Sequence, residues 1–329
     1  MVSCLLNELF IFQIMCWIAR RTIKIKIISG GNDRPSILLI LLMVSFLLTL
    51  NEKVVLGFIN IIHRVPLSPI YSTNHPEEMD KTLPPDFFKS VYNTDSNSDP
   101  LSSQSNKTPW DIGGGKPQPD IVRCFEEGKL KGRILDAGCG AGENCVYLGK
   151  KGQYGGITNI LGFDLAPAAI DFARTQIMLT ESKLGIQRDK QDKFWTRPEF
   201  IVASCTDIAD VYLDPLVETN DKESFDVVID SGLLHCLSDE HAIQYLSQIT
   251  QLVKPGTGRA YLGCFSTANP DPWNNPRRLS KEYLHGLFCQ ENGWEILSVR
   301  DTWWSRPPSR GSAQGAFSMA LWMEAKRLD

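Results

Sequence analysis

The chain contains 329 residues, which is enough for one large domain with an additional segment. Hydrophobic residues make up 43%, charged residues 22%, and the formal net charge is −4, so the composition is globular and lacks the basic balance of a nucleic-acid binder. The nine cysteines include no CxxC pair, so no zinc or other metal site is indicated, and we expect free thiols in a reducing compartment.

Residues 1–62 differ from the rest of the chain because they hold two apolar stretches separated by basic residues. The second stretch, residues 37–50, is shorter than the roughly 20 residues that a membrane-spanning helix needs. Three alternatives remain: an organelle-targeting presequence, a shallow membrane anchor, or an N-terminus that is not translated, with a start at Met43 or Met79. We expect membrane or organelle association through this segment, and otherwise a cytoplasmic protein.

Residues 63–106 are rich in proline, serine and asparagine and are predicted to form a flexible linker, because such a composition buries little apolar surface. The catalytic domain is therefore expected to comprise residues 107–329, and a chain that begins near Ser102 is expected to fold by itself.

From residue 107 onward, short apolar runs alternate with helical patterns. Strands are predicted at residues 133–136, 161–164, 199–203, 225–230 and 258–265, with two more near 294–299 and 316–323. Helices are predicted at residues 144–151, 167–184 and 240–253. This alternation predicts an α/β fold with a mainly parallel sheet and helices on both faces.

A glycine-rich turn follows the first strand, at Gly138, Gly140 and Gly142, and an acid, Asp164, ends the second strand. Glycines there let a ligand approach the backbone, and the carboxylate can accept both hydroxyl protons of a ribose. A nicotinamide dinucleotide would use similar geometry, but its fingerprint is Gly-x-Gly-x-x-Gly and Asp136 would repel its pyrophosphate. The acid suits a ligand with an ammonium and a sulfonium, as in S-adenosylmethionine (SAM).

The turn and its surroundings resemble class I SAM-dependent methyltransferases. Residues 135–142 resemble their first motif and Asp164 their ribose-binding acid, while residues 109–113, 117–119 and 230–237 resemble a small-molecule subgroup loosely related to thiopurine and thiol methyltransferases. The resemblance covers about residues 107–329. It implies a Rossmann-like sheet of seven strands, mostly parallel, with one antiparallel strand near the C-terminus.

The resemblance also implies a set of cofactor-binding residues. The residues at the methionine half are Asp136, Gly138, Gly140 and Gly142. At the adenosine half, Asp164 binds the ribose, Leu165 packs on the adenine face, and Thr206 and Asp207 lie near the adenine amino group. Asp230 lies at the end of the fourth strand, and Trp110 folds over the cofactor as part of a lid. Asp207 is equally typical of a surface turn, and Trp110 of ordinary apolar cover.

The acceptor side offers one titratable candidate. His235 follows the fourth strand and could act as a general base, although a packed or solvent-facing histidine fits the sequence as well. Trp303, Trp304 and Trp273 could border an acceptor pocket, and core packing or a surface cluster is the alternative for the first two.

The sequence therefore predicts methyl transfer from SAM to a small-molecule acceptor such as a thiol, halide or hydroxyl, by in-line displacement. The alternatives are a protein or RNA methyltransferase, a SAM-binding regulator without catalysis, and a dinucleotide oxidoreductase. The segment after the fourth strand, which begins Asp230-Ser231-Gly232, lacks the Asn-Pro-Pro-Tyr-like pattern of nitrogen methylation.

Overall fold

The computed structural model describes residues 82, 84–92, 110, 112, 115–186, 195–213, 224–272, 275–308 and 315–329. The predictions for residues 1–62 lie outside the described residues. In the part of the chain that is described, no helix has the length and apolar character that crossing a membrane requires. All described residues belong to one unit, His75–Asp329.

Seven α-helices and seven strands make up the described part of the chain. The helices are α1 Pro85–Val91, α2 Pro119–Glu126, α3 Glu143–Gly155, α4 Pro167–Leu184, α5 Ile208–Leu213, α6 Asp239–Leu252 and α7 Lys281–Leu287. The strands are β1 Gly132–Ala137, β2 Ile157–Asp164, β3 Glu199–Val202, β4 Val227–Ser231, β5 Arg259–Phe265, β6 Trp294–Pro308 and β7 Gly315–Arg327. Short 3-10 helices follow β4 and precede β6.

Local chemistry explains several of these boundaries. Helix α4 begins at Pro167, whose fixed φ suits a first helical position, and it ends before Gly185, which adopts a left-handed conformation. Helices α6 and α7 are each capped by a serine, Ser238 and Ser280, whose side chain accepts a hydrogen bond from a backbone amide of the first turn.

The strands form one sheet in the order β3-β2-β1-β4-β5-β7-β6. Strands β1 to β5 pair in parallel, and β7 is antiparallel to both β5 and β6. Strand β1 is buried almost throughout, as expected for a parallel strand covered on both faces. The predicted seven-stranded, mostly parallel sheet with one antiparallel strand near the C-terminus is confirmed.

The hairpin of β6 and β7 is longer than the sequence indicates. Phe265, at the end of β5, pairs with Ala320, so residues 315–319 of β7 and their partners in β6 continue past the sheet edge by roughly five residues, or about 16 Å. The sequence predicted only shorter strands, near residues 294–299 and 316–323. The hairpin therefore stands above the edge where β1, β2, β4 and β5 end.

The structure also differs from the prediction of a linker over residues 63–106. Residues 85–91 form helix α1, which begins with a proline at its first position. Tyr92 directly after it is buried and packs with Ala141, Ala166 and Ala169. Apolar side chains at the end of this helix thus gain burial against the domain, which the polar composition of the surrounding segment concealed.

Candidate functional site

The order of the strands places a crevice at the carboxyl ends of β1 and β4. The chain proceeds from β1 outward to β2 and β3, and then returns to β4 on the other side of β1. Ligands bind at such a reversal in open α/β sheets, because the loops there diverge to opposite faces. Asp136 and Asp164 lie at the ends of β1 and β2, at this same edge.

The glycine-rich turn after β1 needs its glycines for conformation as well as for space. Gly138, Gly140 and Gly142 have φ values of +63°, +54° and +80°, a region that other residues rarely adopt. A Cβ on Gly140 would lie 2.8 Å from the hydroxyl of Tyr92. Gly140 therefore faces Tyr92, on the side of the turn where a ligand would lie.

The other two glycines face neighbouring protein atoms. A Cβ on Gly138 would lie 3.1 Å from Leu233, in the loop after β4. A Cβ on Gly142 would lie 2.9 Å from Phe200 and 3.0 Å from Ala173. Gly142 thus permits close packing of the turn against β3 and α4, a role distinct from the predicted contact with a cofactor.

Asp164 joins the end of β2 to the glycine-rich turn. Its carboxylate accepts hydrogen bonds from the amides of Gly140 at 3.0 Å and Ala166 at 2.9 Å. Burial raises the pKa of this carboxyl, and the amide hydrogen bonds oppose that shift. A carboxylate oxygen has several lone-pair directions, so these bonds leave capacity for a diol.

Asp136 is buried at the end of β1 and is held by the start of α3. One carboxylate oxygen accepts from the Asn144 amide at 3.3 Å and the other from the Cys145 thiol at 3.2 Å. Burial raises the pKa of Asp136 to about 6, while the two hydrogen bonds lower it and the charge of Asp164 raises it further. The carboxyl therefore titrates near pH 6.

Trp110 and Tyr92 cover the glycine-rich turn together. The indole Nε1 of Trp110 donates to the Tyr92 hydroxyl at 3.2 Å, and the two ring centroids lie 6.1 Å apart. Phe88 of α1 packs on the other side of Trp110, at 6.2 Å. Sequence reasoning selected Trp110 and missed Tyr92; the apolar residues Phe87, Phe88 and Tyr92 in an otherwise polar segment were the available signal.

The turn after β3 is held by its own side chains. The hydroxyls of Ser204 and Thr206 are hydrogen bonded at 2.9 Å, and the exposed Asp207 accepts from the Ser204 amide at 3.0 Å. Leu165 is half-buried in the neighbouring turn after β2. Thr206 and Leu165 thus lie at the carboxyl-terminal edge of the sheet, as expected, whereas the Asp207 carboxylate stabilises a turn.

Asp230 at the end of β4 also supports a turn. Its buried carboxylate accepts from the amides of Leu233 at 2.7 Å and Leu234 at 3.1 Å. Burial raises its pKa to about 7, and the amide hydrogen bonds oppose this shift. The residue therefore shapes the loop that carries His235.

His235 is 4% exposed and is fixed by the end of β5. Its Nδ1 accepts a hydrogen bond from the Phe265 amide at 3.0 Å, and its ring stacks on Phe265 with centroids 4.7 Å apart. Burial, aided by the nearby Arg277 guanidinium, lowers the pKa of His235 to about 3. The imidazole is consequently neutral, and since Nδ1 is an acceptor, the hydrogen lies on Nε2.

An aromatic wall, defined as His235, Phe265 and Trp304, lines the edge beyond β4 and β5. Trp304 lies 5.9 Å from His235 and 5.6 Å from Phe265, measured between centroids. A Cβ on Gly232 would lie 3.1 Å from Trp304 and 3.3 Å from His235 Nε2, so this glycine leaves room beside the wall.

The other tryptophans differ in position. Trp303 is 59% exposed on the opposite face of the hairpin from Trp304, which is buried. Trp273 lies outside the described residues. Of these candidates for an acceptor pocket, the structure therefore brings Trp304 to the edge beyond β4 and β5.

Comparisons with known proteins agree with this architecture. A family of methyltransferase domains matches residues 113–325, more than half of the chain. The chain is similar to 2-heptyl-1-hydroxyquinolin-4(1H)-one methyltransferase of Mycobacteroides abscessus, with 28% identity over 184 residues, or 56% of this chain and 68% of the relative.

Solved structures give a similar result. A protein studied for the conversion of a disulfide bond into a thioacetal group during echinomycin biosynthesis is 25% identical, with a TM-score of 0.53, over 74% of this chain and 92% of that one. A SAM-dependent methyltransferase from Anabaena variabilis aligns with a TM-score of 0.52 at 15% identity, over 77% and 99% of the two chains, which supports the fold alone.

Proposed function

This chain belongs to the methyltransferase-domain family and is a SAM-dependent enzyme, and we propose that its acceptor is a flat aromatic small molecule. The acceptor atom is an oxygen or sulfur that loses its proton without a protein base. The observation that carries the proposal is the hydrogen bond from the Phe265 amide to His235 Nδ1, at 3.0 Å.

The cofactor side of the crevice fits the polar groups of SAM. Asp136 would receive the ammonium group, Asp164 the ribose hydroxyls, and the backbone at Gly138 and Gly140 the methionine chain. Carboxylates that are buried and already ordered by hydrogen-bond donors, as Asp136 and Asp164 are, suit a cationic ligand, because little reorganisation is needed when it binds.

The adenine end would be bounded by Leu165 and Thr206. Both lie in turns at the carboxyl ends of β2 and β3. Trp110 would cover the cofactor and exclude water. Gly142, Asp207 and Asp230 would act indirectly, by packing and by holding turns, as their contacts in this structure support.

His235 is poorly suited to the role of general base that the sequence suggested. A base needs a free lone pair and a pKa near the working pH. Here the Nδ1 lone pair is occupied by the Phe265 amide and the pKa lies near 3, so the remaining ring nitrogen is a hydrogen-bond donor. We propose that His235 orients the acceptor and stabilises its charged form through Nε2–H.

This arrangement favours acceptors that are already ionised. SAM, when bound, would supply an activated methyl group for in-line displacement, with S-adenosylhomocysteine as the leaving group. The residues of the chain then have to align the two molecules and keep water out, and the aromatic wall would hold a planar ring against it.

The relative from Mycobacteroides abscessus supports a specific acceptor class. Its named substrate is a bicyclic heteroaromatic compound with a hydroxyl on the ring nitrogen. Such a hydroxyl is more acidic than an alcohol, and its ring is flat. Both properties match a site with a neutral donor and an aromatic wall.

A sulfur acceptor is the second candidate. The similar protein from echinomycin biosynthesis is associated with the conversion of a disulfide bond into a thioacetal group, which is chemistry at sulfur. A thiolate also needs no strong base, so the geometry around His235 is compatible with it.

An acceptor panel tests the proposal. Full-length chain and SAM would be incubated with 1-hydroxyquinolin-4(1H)-one, with quinolin-4(1H)-one, which lacks the N-hydroxyl, with thiophenol, and with an aliphatic alcohol. Mass spectrometry would detect the methylated product and S-adenosylhomocysteine (SAH). We expect turnover of the N-hydroxy compound or the thiol, and none of the alcohol.

Several results would contradict it. Turnover of the alcohol alone would show that the enzyme supplies a base. SAM binding without turnover of any small molecule would favour the alternatives of a protein or RNA substrate, or of a SAM-binding regulator.

A further inference from the structure

Tyr92 is the residue in this site with the least explained position. It follows helix α1 directly and is 6% exposed, although it precedes the domain boundary that the sequence indicates. Its neighbours Ala141 and Ala166 lie in the turns that follow β1 and β2, the strands that contain Asp136 and Asp164. The side chain therefore bridges the two halves of the cofactor site.

The hydroxyl of Tyr92 has an unused donor hydrogen. Its oxygen accepts from the Trp110 indole at 3.2 Å, and in the described part of the chain no atom accepts the phenolic hydrogen. A buried donor without an acceptor is unfavourable, so this position suits a ligand that supplies an acceptor. The hydroxyl lies over Gly140, at the middle of the turn that the cofactor would follow.

The charges around this hydroxyl indicate which group of the cofactor it would meet. Asp136, Asp164 and Glu143 surround the turn, and all three are acids. They suit the ammonium, the sulfonium and the ribose hydroxyls of SAM, but they would repel its carboxylate. The carboxylate of SAM therefore needs a hydrogen-bond donor. A neutral donor is suitable, because a cationic side chain would form ion pairs with the three acids.

We propose that Tyr92 is a cofactor-binding residue whose hydroxyl donates a hydrogen bond to the methionine carboxylate of SAM. Trp110 is the positioning residue that holds the hydroxyl, and its indole leaves the phenolic hydrogen directed away from itself. Burial and the nearby Asp164 and Glu143 charges raise the pKa of Tyr92 well above its ordinary value, so the phenol keeps its proton and stays a donor. The inference rests on the SAM site proposed above and on no property of the acceptor.

Calorimetry with two ligands isolates this contact. SAH carries the carboxylate, whereas 5′-methylthioadenosine has the same adenosine and thioether without the amino-acid end. In the full-length chain, Tyr92→Phe is expected to weaken SAH binding about tenfold or more, the range for a lost hydrogen bond to a charged group. Binding of 5′-methylthioadenosine is expected to stay within about twofold.

Tyr147→Phe is the matched control, because Tyr147 is a half-buried tyrosine of α3 that packs on Phe125. It is expected to change neither affinity, and the ligand-free melting temperature of Tyr92→Phe is expected to equal that of the unmodified chain. An equal loss for both ligands, or no loss for SAH, would overturn the proposal. Because no acceptor takes part, failure of the acceptor proposal would leave this result unchanged.

Discussion

The carboxylate of Asp164 accepts a hydrogen bond from the backbone amide of Gly140 at 3.0 Å. The bond joins the end of β2 to the turn after β1, so the two segments expected to hold opposite halves of SAM are tied before any ligand binds. Preorganisation of this kind lowers the ordering cost of binding.

Replacement of Asp164 should therefore weaken cofactor binding with little effect on the fold. Asp164→Asn keeps one oxygen for the Gly140 amide, but it removes the acceptor of the Ala166 amide and the charge that pairs with the ribose hydroxyls. We expect SAH binding to weaken by ~1.5–3 kcal/mol, measured by calorimetry. Asp171→Asn, on the exposed side of α4, is the control and should leave the affinity unchanged. Equal affinities for Asp164→Asn and the unmodified chain would remove Asp164 from the site.

Cofactor affinity should depend on pH through Asp136. Burial raises the pKa of this carboxyl to about 6, and an ammonium group would bind its ionised form. Affinity for SAH should therefore rise as the pH increases from 5 to 7, by up to about tenfold per unit below the pKa, and then level off. Asp136→Asn should bind SAH weakly with a flatter profile. A steep profile that persists in this variant would assign the titration to another group.

Gly140 and Gly142 should differ in what an added methyl group disrupts. Gly142→Ala combines a left-handed conformation with contacts of 2.9 and 3.0 Å to Phe200 and Ala173, and should lower the free energy of unfolding by ~2–4 kcal/mol. Gly140→Ala should lower the free energy of unfolding by only about 1–2 kcal/mol, which is the cost of its left-handed backbone conformation. Its added methyl group would displace the Tyr92 hydroxyl.

Urea unfolding and SAH calorimetry on both variants separate these effects. The loss of affinity in folded protein should be larger for Gly140→Ala. The reverse order would show that Gly142 faces the ligand.

Removal of α1 should weaken the cofactor site without unfolding the domain. A chain that begins at residue 82 keeps the helix and Tyr92, whereas one that begins at Ser102 lacks both. We expect both to unfold cooperatively, and the shorter chain to bind SAH at least tenfold more weakly because it loses the Tyr92 donor. Identical affinities would mean that residues 82–92 have no part in the site.

The parts of this account that the sequence predicts are those that depend on local patterns. Glycines at positions 138, 140 and 142 after an apolar strand predict a tight turn, and Asp164 follows from its place at the end of the next strand. The role of Tyr92 could not be predicted in the same way, because its burial depends on Ala166 and Ala169, more than 70 residues away.

The state of His235 depends on distant contacts as well. Its acceptor nitrogen is fixed by the amide of Phe265, 30 residues later in the chain. The sequence identified His235 as a candidate, but its tautomer and its lowered pKa follow from burial and from a backbone amide that no motif specifies. The length of β6 was similarly hidden, because the apolar run that predicted it ends near residue 299, whereas its pairing with β7 continues to Pro308.

The pH dependence of kcat/KM for two acceptors shows whether His235 takes the proton of the acceptor. The acceptors would share one ring system and differ in the pKa of the hydroxyl that is methylated. Because His235 is neutral throughout the working pH range, the inflection in kcat/KM should move with the pKa of the methyl acceptor. The variant His235→Asn keeps an oxygen that can accept the hydrogen bond of the Phe265 amide. It should show the same movement of the inflection, with a lower kcat/KM. An inflection that stays at the same pH for both acceptors and disappears in His235→Asn would contradict the account, because it would identify His235 as the base.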